Sequence, residues 1–166
     1  MNGEYWIKKL DLQKHPEGGY YRETYRSNDI INQDKSLTRY NDVRNISTAI
    51  YYLLLGQEFS AFHKLKSDEI FHFYGGSFLR VHLINNEGEY HQFKLGNNPE
   101  NGQVLQLIIP HGYWFASEVG ESNSYSLIGC TVSPGFHFAD FTLGNKEQLI
   151  ILYPHLSDLI SKFTYN

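Results

Sequence analysis

The sequence predicts an all-β protein, a sandwich or barrel with short helices at both ends, and three observations carry that expectation. From Ile46 to Val132, short apolar stretches succeed one another with no helical pattern between them. Turn residues separate the stretches: Gly56-Gln57, Gly75-Gly76, Asn85–Gly88, Gly96–Pro99, His111-Gly112 and Gly120–Asn123. Finally, 13 Tyr and 11 Phe lift the aromatic share to 16%, and pleated sheets favour such residues. At 166 residues the chain is expected to form one domain.

In chain order, Gly3–Asp11 places Trp6, Ile7 and Leu10 on one helical face, with Asn2 as cap. The helix stops before His15-Pro16-Glu17-Gly18-Gly19, a turn in which His15 and Glu17 are read as structural and the glycines as positive-φ residues. Tyr20–Ser27 alternates without a plainly apolar face and reads as an edge strand or a subunit boundary rather than a barrel wall. Asn28–Asn45 is polar and aperiodic, so it is expected as an exposed loop and a candidate lid. Strands are expected at Ile46–Leu55, Ser60–Leu65, Ile70–Tyr74, Phe78–Ile84, Tyr90–Leu95, Val104–Ile109, Tyr113–Ser117 and Tyr125–Val132. At the far end Asn145 with Gln148 reads as a capping box. Pro154 opens a further short helix with Leu156, Leu159, Ile160 and Phe163 on one face.

Composition narrows the function classes. A net charge of -4, with no basic cluster longer than Lys8-Lys9, argues against a nucleic-acid partner. No run approaches the ~18 apolar residues of a membrane span, and the N-terminus lacks the apolar core of a secretory signal. The one cysteine, Cys130, forms no internal disulfide and reads as a small core residue, and the expected location is the cytoplasm.

The stretch that invites a functional reading is Ser60–Gly76, where His63 and Glu69 stand in otherwise apolar β-type sequence. Titratable groups there are costly unless paired or used, so both are expected to line a ligand pocket inside the barrel. His72 stands three residues from Glu69, which in a regular strand turns it to the opposite side. A Gly75-Gly76 hairpin would set His82 beside Glu69 on the same face. A carboxylate near the imidazole makes His63 a candidate general base, and Tyr125 is nominated as its acid. Phe71, Phe73, Trp114 and Phe115 complete the expected lining.

These residues resemble the cupin superfamily. His63, Glu69 and Gly76 occupy the first, third and last signature places of its first motif, with Leu65 where a second His would stand. Pro110 and Gly112 match its second motif, where Phe115 replaces the His and Val119 the Asn. A closer resemblance is to the cupin family numbered five. It is carried by His15–Tyr20 (HPEGGY), Ser60–His63, Ser67-Asp68-Glu69, Ile109-Pro110, Trp114–Ala116, Ser133–Phe136 and Ala139–Phe141.

The resemblance implies a double-stranded β-helix, that is a jelly-roll barrel, and a homodimer. It implies no settled activity. The cupin cage of three His and one Glu retains only His63 and Glu69 here, so a divalent metal at those two residues is the disfavoured alternative and no cofactor is expected to be required. Sugar-nucleotide 3,5-epimerases share the barrel and use a His base with a Tyr acid. Three readings follow: an isomerase or epimerase acting without metal on a carbonyl-bearing or sugar-nucleotide-like small molecule, a non-catalytic sugar- or nucleotide-binding module, and a metal-dependent oxygenase with an incomplete ligand set.

Overall fold

The computed structural model describes residues 2–32 and 37–165. Helix α1 (Gly3–Lys9) starts where Asn2 accepts from the Tyr5 amide at 3.0 Å. It lays Trp6, Ile7 and the following Leu10 over Leu12, Leu53 and Leu127. Strands β1 (Gln13–Lys14) and β2 (Tyr20–Arg26) flank the Pro-Glu-Gly-Gly turn, and β3 (Ile30–Ile31) pairs with β4 (Arg44–Asn45) as a small separate ribbon. Then come β5 (Thr48–Leu55), β6 (Phe59–Leu65), β7 (Asp68–Gly76), β8 (Leu79–Ile84), β9 (Tyr90–Leu95), β10 (Gln103–Val104), β11 (Gln106–Ile109), β12 (Trp114–Val119), β13 (Tyr125–Ser133) and β14 (Phe141–Leu143). Helices α2 (Lys146–Leu152) and α3 (Ser157–Lys162) close the chain, α2 capped by Asn145 through the Gln148 amide.

The strands form two six-stranded sheets, ordered β1-β2-β5-β13-β7-β11 and β10-β9-β8-β12-β6-β14, which together make a double-stranded β-helix. Between them lies the main core, where Tyr52 and Leu54 of β5, Phe71 of β7, Val81 and Leu83 of β8, Phe115 of β12 and Ile128 of β13 are buried together. The second sheet is apolar on its outer face as well. Phe62, Ile84, Trp114 and Ala116 pack there beneath Leu149, Ile160 and Phe163 of the C-terminal helices. Among the described residues no helix is long and apolar enough to cross a membrane.

Three expectations are corrected by the topology. The anticipated Gly75-Gly76 hairpin does not form, because β7 and β8 belong to different sheets. Gly76, at φ +93°, instead passes so close to β13 that a Cβ would lie 2.1 Å from the Tyr125 carbonyl oxygen. The run Val104–Ile109 is two strands: β10 pairs parallel with β9, and after Leu105 the chain changes sheet so that β11 pairs antiparallel with β7. Lastly, the segment expected as an exposed lid is fastened down. Tyr40 is buried and donates its hydroxyl to the Lys66 carbonyl at 2.9 Å, and buried Arg44 grips Asp140 with Nη2 2.8 Å from Oδ1. The centre of that segment, residues 33–36, lies outside the described residues.

Candidate functional site

The site begins in the turn before β2. Gly18 adopts φ +113°, and a Cβ there would sit 2.2 Å from the Phe59 carbonyl oxygen, so only glycine lets the turn lie against β6. That close approach brings Glu17 to the barrel interior. Its backbone carbonyl accepts from the Ala61 amide at 2.8 Å and from the Tyr165 hydroxyl at 3.0 Å. Tyr52 completes the clamp by donating to the Gly18 carbonyl at 2.8 Å.

Strand β6 receives Glu17 through an irregularity. Phe115 of β12 faces His63 and Ser117 faces Ser60, so two steps on β12 correspond to three on β6, a β-bulge. The extra residue turns Ser60 and His63, three positions apart, to the same side. Both then meet the Glu17 carboxylate: Ser60 Oγ donates to Oε1 at 3.0 Å, and His63 Nε2 lies 3.0 Å from Oε2. His15 Nδ1 approaches Oε2 at 3.3 Å. The other nitrogen of His63, Nδ1, is 2.7 Å from the Ala61 carbonyl, which can only accept, so Nδ1 carries a hydrogen. Nε2 faces the Glu17 carboxylate across that 3.0 Å contact. Burial works against a charge on Glu17, but the adjacent His63, helped by hydrogen bonds from His15 and Ser60, holds its carboxyl below the usual range. For His63 burial is the larger influence and lowers its affinity for the proton, with Glu17 opposing.

Glu69 enters the same interior from the opposite sheet. On β7 it pairs with Ile109 of β11 and Val132 of β13, a row of inward side chains that leaves its carboxyl among apolar neighbours. Burial first, and repulsion from Glu17 second, push Glu69 up to about 8, with a hydrogen bond from the Cys130 thiol acting the other way. At neutral pH it is therefore a carboxylic acid. The thiol itself is pushed far up by burial, which makes it inert.

Glu17, His63 and Glu69 line one cavity of about 390 Å³. Its walls are Tyr21, Ile50, Tyr52, Leu65 and Val132, and Phe136 and Phe138 stand beside His15, whose ring runs nearly parallel to that of Phe138 at 6.2 Å. Glu23 and Arg26 of β2 also line it, joined by a two-pronged ion pair.

His63 and Glu69 line the same cavity, but the carboxylate beside the imidazole is Glu17 and not Glu69, and the other nominated residues are distributed differently. Phe115 is inside the barrel with its ring 4.0 Å from that of His63, and Phe71 and Phe73 belong to the main core rather than to the cavity wall. Trp114, one residue from Phe115, faces the C-terminal helices. His82 is on that outer face too, packed 4.6 Å from the Phe163 ring with Nδ1 2.9 Å from the Tyr90 hydroxyl. Tyr125 lies under α1, its hydroxyl accepting from Trp6 Nε1 at 2.9 Å, so it is far from the place its nomination required. Sequence reasoning assigned His15 and Glu17 to a turn, and they are in the turn and at the centre of the cavity as well.

A metal takes deprotonated ligands, so an ion in this cavity would have to displace the proton of Glu69 and compete with Glu17 for His63 Nε2. Among the described residues no three His, Cys, Asp or Glu side chains converge in metal-holding geometry.

A double-stranded β-helix with titratable side chains gathered inside its wall is the architecture of the cupin class. This chain belongs to the cupin superfamily family DUF985, whose model matches residues 4–144. It is 34% identical over 151 residues to the uncharacterized protein YML079W of Saccharomyces cerevisiae, covering 86% of this chain and 75% of the yeast protein. A hypothetical protein from Leishmania major superposes over the whole of both chains with a TM-score of 0.90 at 34% identity. A Shewanella oneidensis protein does so at 0.88 and 37%, over 99% of this chain and 98% of its own.

Proposed function

We propose that the protein is an isomerase or epimerase that moves a proton on a small carbonyl-bearing substrate. One observation carries this reading: two buried carboxyls face one cavity, Glu17 held charged and Glu69 held protonated. Environments that push two carboxyls apart in this way divide the labour of acid and base. Glu17 is the base, because His63 spends Nε2 on Glu17 and Nδ1 on Ala61 and so presents neither to a substrate. Glu17 takes the proton from the carbon beside the carbonyl as that C–H bond breaks. Glu69 gives its proton to the carbonyl oxygen, leaving a neutral enediol when the deprotonated carbon bears a hydroxyl. Return of the first proton from Glu17 to the former carbonyl carbon, while Glu69 takes up the proton of the hydroxyl on the other carbon, makes that carbon the new carbonyl and completes the isomerisation. His63 is a positioning residue that sustains the charge on Glu17.

The test is exchange of the α-proton with ²H₂O, followed by NMR across a panel of aldoses, ketoses and keto acids. We expect exchange with wild type and a loss of about 10²–10⁴ in both Glu17→Gln and Glu69→Gln, the usual worth of a positioned acid or base. The rate should fall above about pH 8 as Glu69 ionises. His63→Gln should move the acidic limb upward, because Glu17 loses the partner that lowers it. Undiminished exchange in either carboxyl variant would end the proposal. A ligand that stabilises the fold without exchange would instead favour a binding module.

A further inference from the structure

We infer that the cavity selects an uncharged hydroxycarbonyl compound and rejects the phosphorylated or nucleotide-linked forms of the same molecule. The carbonyl rests on the proton-transfer reading above; the charge rests on the cavity itself. This departs from the sugar-nucleotide-like substrate that the sequence suggested.

Charge is the first argument. Three carboxyls, Glu17, Glu23 and Glu69, line the cavity, and among the described residues the only guanidinium or ammonium in its lining is that of Arg26. Arg26 is already committed. Its Nε and Nη2 lie 3.0 and 2.7 Å from the two oxygens of Glu23, its Nη1 is 2.8 Å from Asn45 Oδ1, and Nη2 also reaches the Phe136 carbonyl at 3.2 Å. Of the three imidazoles in the lining, His63 has both nitrogens engaged, while His15 turns Nδ1 to Glu17 and His137 uses Nδ1 to accept from the Ala139 amide, which leaves Nε2 of His15 and His137 to meet a ligand. A phosphate entering here would lose its water, meet the charge of Glu17, and find its one strong cation neutralised.

Wall chemistry agrees. About 390 Å³ corresponds to roughly thirteen waters at ~30 Å³ each, room for a monosaccharide and more, because bonded atoms take less space each than a water. Tyr21, Tyr52, Phe136 and Phe138 supply ring faces and edges suited to the C–H faces of such a ring, while the carboxyls and Ser60 address its hydroxyls.

The experiment measures binding to the full-length protein by thermal shift and calorimetry. The probes are glucose, fructose and gluconolactone, each beside its phosphate ester, with UDP-glucose as a further anionic comparison. We expect at least one neutral probe to bind tenfold or more tightly than its phosphate ester and than UDP-glucose. Glu23→Gln, which releases Arg26 at a half-exposed position, should narrow the gap to the phosphate ester about tenfold. An anionic probe that binds as well as its neutral counterpart overturns the inference, as does failure of every neutral probe or an unchanged gap in Glu23→Gln. Binding of neutral probes without α-proton exchange would leave this inference standing and remove the proton-transfer reading instead.

Discussion

At pH 9 the Glu69→Gln variant is expected to melt well above the wild type, and at pH 4 the two are expected to melt together. Burial raises the Glu69 carboxyl from 4.5 to about 8 in the folded protein. Between those values the folded state keeps a proton that the unfolded chain releases, so stability falls as pH rises through that window. At 1.36 kcal/mol per unit the shift is worth roughly 5 kcal/mol, which for a chain of this size corresponds to a difference on the order of 10 °C. Glutamine keeps the shape of the protonated acid and cannot ionise. Glu17 acts in the opposite sense, because its lowered carboxyl stabilises the fold above the ordinary carboxylate range and loses that contribution as pH falls. The pH-dependent difference between Glu69→Gln and wild type therefore isolates Glu69. Parallel melting curves across pH 4–9 would mean that Glu69 is an ordinary carboxylate.

The second large effect is expected at Asp140. Its carboxylate and the Arg44 guanidinium are both buried, joining the ribbon of β3 and β4 to the 3₁₀ turn Phe138–Asp140 that carries a wall of the cavity. Asp140→Ala leaves a guanidinium in the interior without its partner, a change that costs about 3–5 kcal/mol. Urea denaturation should show a lower midpoint with an unchanged slope. Arg44→Met combined with Asp140→Leu should recover most of the loss, since an apolar pair needs no compensating charge. A midpoint within experimental error of wild type in Asp140→Ala would show that this segment is held by something other than the ion pair.

Much of the architecture was readable because local chemistry and fold agree. The apolar stretches and the Gly, Asn and Pro residues between them mark the strands to within a few positions, and Asn2 and Asn145 cap the helices for which they were nominated. What failed was the assignment of strands to sheets. Gly75-Gly76 has the composition of a hairpin, but in a jelly roll a turn of that kind also carries the chain from one sheet to the other, and nothing in two glycines distinguishes these. The same limit misplaced Trp114. Alternation separates it from Phe115, yet a sheet buried on both faces gives no polar side by which to tell outside from inside. In the cavity, His63 and Glu69 betrayed themselves as titratable groups in apolar strands. Glu17 did not, because a carboxylate between Pro16 and Gly18-Gly19 is ordinary turn chemistry. The signal that could have found it was the pairing of an acidic residue with two glycines, which permit the loop to press against a neighbouring backbone.

The extra residue in β6 ties the length of that strand to the chemistry of the cavity. Deleting one amino acid between Ser60 and His63 would make a more regular ladder, yet it would swing one of the two away from the Glu17 carboxylate and toward the C-terminal helices. The spacing of this segment therefore matters to the cavity as much as the identity of its residues, and a chain that kept both side chains but shed the residue between them would keep the fold and lose the site.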